Sequence, residues 1–202
     1  MSDNIKPCPK GKFCTKGKFY KGKDIEDPNL DAWYTNPVSC LPGTYNPTMY
    51  SFDPTHCLQC PPGKYCAGKA LDAPSGDCSP GYYCREGSSL QTPSTIDPIS
   101  ARWGYCPEGS YCPTGTAYPF PCPPGTYGAK TTLSASNQCT PCTKGFYCPL
   151  AGMKTISVQS YPCEAGYYCP VGSISPRPEK CEAGYKCPAG SSVKIACPNG
   201  YY

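Results

Sequence analysis

Residues 60–66 read CPPGKYC, and the same phrase returns along the whole 202-residue chain. It stands as CPKGKFC at 8–14, CSPGYYC at 78–84, CPEGSYC at 106–112, CTKGFYC at 142–148, CEAGYYC at 163–169 and CEAGYKC at 181–187. Two copies, CLPGTYN at 40–46 and CPPGTYG at 122–128, lack the final Cys, and a tenth, CPNGYY, fills 197–202. A phrase repeated ten times in 202 residues is the unit of construction, and the fold is read from it.

Composition says what holds such units together. Leu, Ile, Val and Phe number 23 of 202, far too few for an ordinary hydrophobic core. The 19 Cys point instead to a disulfide scaffold, in which cross-links take over the role of the core. With 27 Pro and 21 Gly, turns dominate. The expected fold class is therefore small disulfide-rich repeats in an elongated rod, mostly loops and turns with short β strands and little or no helix. So many disulfides persist only in an oxidising compartment, so the chain is expected to be extracellular, secreted or on a cell surface.

Within a unit, Cys-x-x-Gly suits a tight turn, with Pro at the second position in several copies and Gly at the fourth in all. An aromatic follows two residues after the Gly in nine copies: Phe13, Tyr45, Tyr65, Tyr83, Tyr111, Tyr127, Tyr147, Tyr168 and Tyr202. Lys186 is the exception, with Tyr185 beside it. Placement in every unit reads as packing over the cross-link, with a sugar-binding platform as the sharper alternative. A second turn usually follows the closing Cys, as in CPTGT at 112–116 and CPVGS at 169–173.

The two copies without a near Cys reach a partner 17 residues on, from Cys40 to Cys57 and from Cys122 to Cys139. Counting short-loop and long-loop copies gives a higher-order period of about 80 residues. The organisation expected is a first short-loop unit with an aromatic and charged spacer over 1–39, super-repeats over 40–121 and 122–196, and an incomplete unit at 197–202. The unfinished last copy also favours a chain that is part of something longer.

Neighbour pairing is the expected disulfide pattern: Cys8–Cys14, Cys40–Cys57, Cys60–Cys66, Cys78–Cys84, Cys106–Cys112, Cys122–Cys139, Cys142–Cys148, Cys163–Cys169 and Cys181–Cys187. A register shifted by one would force Cys57–Cys60 and Cys139–Cys142 into tight bridges. Crossed pairing between adjacent units, such as Cys60–Cys78 with Cys66–Cys84, is the alternative. Cys197 is left unpaired or paired outside the segment.

The phrase CPPGTY at 122–127, with its Cys-x-x-Cys after a loop, resembles the cysteine-rich module of ephrin-receptor ectodomains and, more distantly, modules of the tumour necrosis factor receptor type. The tandem Cys-Pro-x-Gly-x-Tyr-Cys-Pro-x-Gly-Ser form also resembles repeat arrays in surface proteins of protists, including proteins of flagellar hairs (mastigonemes). The resemblance implies an extracellular module used by receptors, coats and fibres alike, and no kinase or ligand-binding motif accompanies it.

Other chemistries find little footing. CLQC at 57–60 and CTPC at 139–142 have zinc-ligand spacing, and His56 adjoins Cys57, but the second pair has no His and both fit the repeat. His56 is the only His, and no nucleophile has a recurring base partner, so no enzyme and no cofactor is expected. Net charge is +4, with seven Lys between Lys6 and Lys23 answered by Asp24, Glu26, Asp27 and Asp31, which reads as a solvated face rather than a nucleic-acid site. No apolar run of membrane-spanning length occurs.

The loops carry Ser and Thr beside Pro, a composition similar to that of O-glycosylated stalks. The candidates are Ser88, Ser89, Thr92, Ser94, Thr95, Thr131, Thr132, Ser134, Ser173 and Ser175, whereas Asn46-Pro47-Thr48 is blocked as an N-glycan site by its Pro. Two functions follow. The first is a glycosylated structural segment of a filament, flagellar hair or cell coat, its partners being further repeats or copies of itself, head to tail. The second is a receptor or adhesin stalk, whose binding patch would lie in the spacer at 18–39 with Phe19, Tyr20, Trp33 and Tyr34.

Overall fold

The computed structural model describes residues 8–16, 34–94 and 102–198. The chain divides into two compact units, the first made of Met1–Cys78 and Cys84–Trp103, the second of Ser79–Tyr83 and Gly104–Tyr202. The sequence boundary at 121/122 lies inside the second unit, because the repeats on either side of it are joined like any others: the Cys122 amide donates to the Gly109 carbonyl at 2.8 Å.

Secondary structure is minimal. Two-stranded sheets, eight among the described residues, are joined by turns. Among the described residues an α-helical turn spans Thr155–Val158, and 3-10 turns span Pro54–His56 and Ser136–Gln138. This is a fold of disulfide-rich loops and short strands.

Each sheet is built by one rule. The two residues after the repeat Gly pair antiparallel with the two residues before the next opening Cys. In the first unit Thr44 faces Gln59 and Tyr45 faces Leu58, while Lys64 faces Asp77 and Tyr65 faces Gly76. In the second, Tyr167 faces Lys180 and Tyr168 faces Glu179. The Gly-x-Tyr stretch is extended because an aromatic favours a pleated, half-covered surface. The linker between the paired ends can vary in length without changing the register, which is why the spacing between copies varies while the phrase does not.

Successive repeats are stitched by backbone. Between the Cys142 and Cys163 repeats, the Cys163 amide donates to the Gly145 carbonyl at 2.9 Å and the Gly145 amide to the Cys169 carbonyl at 2.9 Å. The Cys148 amide donates to the Ser173 carbonyl at 2.8 Å, and the Gly172 amide to the Cys142 carbonyl at 2.9 Å. The same four bonds join the Cys40 and Cys60 repeats, through Cys60 to Gly43, Gly43 to Cys66, Asn46 to Leu71 and Ala70 to Cys40. Main-chain groups thus find partners without a large core to bury them in.

A third contact skips a repeat. Gly145 has φ +85°, and a Cβ there would stand 2.5 Å from the carbonyl oxygen of Gly190, two repeats on. Only Gly permits both the left-handed backbone and the close approach. The interior is the cross-links themselves: Cys60, Cys66, Cys106, Cys112, Cys142, Cys148, Cys163 and Cys169 are fully buried. The aromatics that follow the Gly lie half-buried beside them, and Tyr83 is buried against Cys106 and Cys112.

Candidate functional surface: the disulfide frame and its outward face

Nine disulfides join neighbours along the chain: 8–14, 40–57, 60–66, 78–84, 106–112, 122–139, 142–148, 163–169 and 181–187. Every bridge closes within its own repeat, so cross-links fix each turn and hydrogen bonds fix one repeat on the next. Cys197 is free and half-buried. Because Cys57 pairs with Cys40 and Cys60 with Cys66, neither can serve as a zinc thiolate. His56 instead folds back on Asp53, whose carboxylate accepts from the Thr55 amide at 2.8 Å; that bond holds the Asp53 carboxyl below its ordinary range. No metal-holding cluster of His, Cys, Asp and Glu occurs among the described residues.

The long-loop repeats need a substitute for their missing sulfur. At Asn46 the side chain is fully buried. Its Nδ2 donates to the Lys12 carbonyl at 2.9 Å and to Ser51 Oγ at 2.7 Å, and its Oδ1 accepts from the Thr48 amide at 3.0 Å and hydroxyl at 2.7 Å. Asn46 therefore acts as a polar hub where other repeats place a half-cystine. Gly128 stands at the same position in the Cys122 repeat and has no side chain to bond with; its amide makes the usual junction bond, to the Met153 carbonyl at 2.9 Å, as the Asn46 amide does to Leu71.

Several repeats carry an ion pair at their surface, across the strands at Lys64 and Asp77 and beside the strands in two later repeats. Lys64 meets Asp77 at 2.6 Å and Lys194 meets Glu182 at 2.6 Å, and Arg177 makes a two-pronged contact with Glu164. Arg177 also lies over the Tyr167 ring, 5.8 Å from its centre, and Lys194 over Tyr185 at 4.7 Å. The hydrogen bonds from Arg177 hold the Glu164 carboxyl below its usual value and raise Arg177 in return. The bond to Glu182 likewise raises Lys194. These groups are exposed or half-exposed, so the pairs order the surface more than they stabilise the fold.

The Ser and Thr candidates divide. Thr92, Ser94, Thr131 and Thr132 are exposed, and Ser89, Ser134 and Ser175 are half-exposed. Ser88 and Ser173 are buried, and both are corrected as outward sites. Their hydroxyls are spent on nearby carbonyls, Ser88 on Leu90 just past its turn at 3.2 Å and Ser173 on Pro170 within its turn at 2.8 Å. Thr95, Phe19, Tyr20 and Trp33 lie outside the described residues. Tyr34 opens the strand Tyr34–Ser39, which pairs with Lys12–Lys16.

One concavity stands apart from the repeat pattern. The linker after Cys148 folds into the helical turn Thr155–Val158, and Met153 and Val158 bury against the Cys142–Cys148 bridge with Tyr127, Phe146 and Tyr161 packed around them. Beside this cluster a cleft of about 360 Å³ is lined by Tyr127, Thr143, Phe146, Thr155, Val158 and Gln159. Sequence reading missed both this cleft and the Asn46 hub. The available signals were the apolar pair Met153 and Val158 in an otherwise polar linker, and an Asn standing at a Cys position.

No family model matches the chain. A curated relative, an ABC-type transporter of Penicillium crustosum, is 34% identical over 97 residues, an alignment covering 42% of this chain and 11% of the relative. The chain thus spans about a tenth of that protein's length. Among the described residues no helix is long and apolar enough to cross a membrane. What the residues and geometry establish together is a chain of small disulfide-closed repeats, of the kind that oxidising, extracellular surroundings maintain.

Proposed function

We propose that the chain is an extracellular structural segment, an array of cysteine-rich modules of the ephrin-receptor-like type serving as a spacer in a filament, flagellar hair or cell coat, with no catalytic role. The observation that supports this most is the uniform junction: the same backbone bonds recur from repeat to repeat, regardless of linker length or surface residues. Units that contact mainly their near neighbours are suited to extension by repetition. Exposed Thr92, Ser94, Thr131 and Thr132 are the positions favoured for O-glycans on its surface, and further repeats or copies of the chain, arranged head to tail, are its partners in this reading.

A second reading draws on the partial likeness to a protein named as an ABC-type transporter. In it, the repeats form the outer portion of a longer membrane-tethered protein, with a receptor or adhesin stalk as the general case. Electron microscopy of the protein in its native source separates the two. Ordered polymers with a repeat along their axis are expected from the first; isolated molecules tethered to a membrane would overturn it in favour of the second.

A further inference from the structure

We propose that the cleft beside the Cys142–Cys148 bridge is a binding site for a neutral sugar residue, such as the terminal hexose of a glycan. The inference is independent of whether the array forms a filament. Its volume, about 360 Å³, falls at the small end of ligand pockets, which run from roughly 300 to 1,000 Å³. That size suits one pyranose ring rather than a chain of them.

The lining chooses the ligand class. Tyr127 and Phe146 are half-buried, and with buried Val158 they form an aromatic and apolar wall. Aromatic faces carry partial negative charge, which complements the polarised C–H face of a sugar ring. The rest of the lining is Thr143, Thr155 and Gln159, all exposed, and among the described residues no hydrogen bond engages their side chains. Two hydroxyls and one amide both donate and accept, as sugar hydroxyls do. None of the six lining residues is charged, so a carboxylate or phosphate would lose its hydration without an ionic partner. A purely apolar ligand would desolvate the three polar groups and return nothing. Among the described residues this is also the one linker that forms an α-helical turn, and its Thr155 and Gln159 share the cleft with Tyr127 of the Cys122 repeat and Phe146 of the Cys142 repeat.

The test uses the intact, oxidised chain and backbone-amide NMR. Methyl α-mannoside, methyl β-galactoside and methyl β-N-acetylglucosaminide are titrated in, with glucuronic acid and cyclohexanol as the charged and apolar comparisons. At least one neutral glycoside is expected to shift Tyr127, Phe146 and Gln159 saturably, with a dissociation constant on the order of 1 mM, as befits a ligand of so few atoms. Gln159→Ala and, separately, Thr155→Val should each weaken binding by roughly tenfold. Both positions are exposed and outside the disulfide frame, so the variants should fold. The proposal is overturned if no neutral glycoside gives a saturable shift at these residues, if cyclohexanol or glucuronic acid binds as well as the best glycoside, or if both variants bind unchanged.

Discussion

Asn46 donates from Nδ2 to the Ser51 hydroxyl over 2.7 Å at the position where short-loop repeats carry their closing half-cystine. The two residues sit in the long loop closed by Cys40 and Cys57, and both are buried. Replacing Asn46 by Ala would remove the side-chain donor to the Lys12 carbonyl and the acceptor of the Thr48 amide, and leave the buried Ser51 hydroxyl with Thr48 as its partner, at a cost of about 1–3 kcal/mol for a group left unsatisfied. Asn46→Ala is therefore expected to lower the midpoint of chemical denaturation clearly, with Ser51→Ala lowering it less. Equal stability of Asn46→Ala and the parent would show that water enters and replaces the hub.

The contact that skips a repeat can be isolated by comparing two glycines of the same backbone shape. Gly145 and Gly166 have φ +85° and +87°, but a Cβ at Gly145 would stand 2.5 Å from the Gly190 carbonyl oxygen, whereas at Gly166 nothing among the described residues lies within 4 Å. Alanine at either position carries the left-handed penalty of about 1–2 kcal/mol. Gly145→Ala must in addition push the Gly190 carbonyl away and so loosen the 2.8 Å bond that the Gly190 amide donates to the Cys163 carbonyl. Denaturation of the two variants should place Gly145→Ala well below Gly166→Ala. Identical losses would mean that backbone conformation alone sets the requirement for Gly.

Much of this frame was readable from Cys, Gly and aromatic spacing, because each of those residues does one local job: closing a loop, turning left-handed, or covering a bridge. The strand partners were not readable. Leu58–Gln59, Gly76–Asp77 and Glu179–Lys180 share no residue type, since what pairs them is backbone. The second-turn position was also obscured, because Tyr50, Ala70 and Thr132 take positive φ where the later repeats use Gly152, Gly172 and Gly190. The surface candidates suffered from a similar blindness: Ser88 and Ser173 look like loop serines, yet both are buried with their hydroxyls bonded to nearby carbonyls. The cleft at Phe146 depends on how one linker folds over two hairpins, a long-range fact that no local pattern carries.

The Arg177–Glu164 pair makes an acid-side prediction. The Glu164 carboxyl is held below its ordinary value by its hydrogen bonds to Arg177, with the Arg charge adding to them. A depressed folded-state value means the contribution is present above the ordinary glutamate range and is lost as pH falls through the folded value. Carboxyl-detected NMR should find Glu164 titrating at lower pH than an isolated glutamate, and Arg177→Ala should return it to the ordinary range. Because both groups are exposed, added salt should move it part of the way back. A normal midpoint in the parent chain would show that the pair is not populated in solution.

The last prediction separates the two kinds of fastening in the fold. Cross-links act only within repeats, closing loops with separations of 6 or 17 residues, and each such closure contributes about 2–3 kcal/mol by restricting the unfolded chain. Between repeats there are backbone hydrogen bonds and little apolar area, since the buried clusters contain few residues besides Cys. A repeat that loses its bridge should therefore also lose its hold on its neighbours. Full reduction is expected to abolish the native circular dichroism, while the oxidised chain withstands heating. Single-bridge variants should rank by what the bridge supports. Cys142→Ser with Cys148→Ser removes the floor under Met153 and Val158 and should cost most; Cys181→Ser with Cys187→Ser, where Cys181 is half-exposed, should cost least. Amide hydrogen exchange on the first of these variants should show protection lost at Gly125, Gly145 and Cys163, whose bonds run to or from that repeat, while the Cys40 and Cys60 repeats keep theirs. Native circular dichroism surviving full reduction would show that packing, and not the cystine frame, holds the chain together.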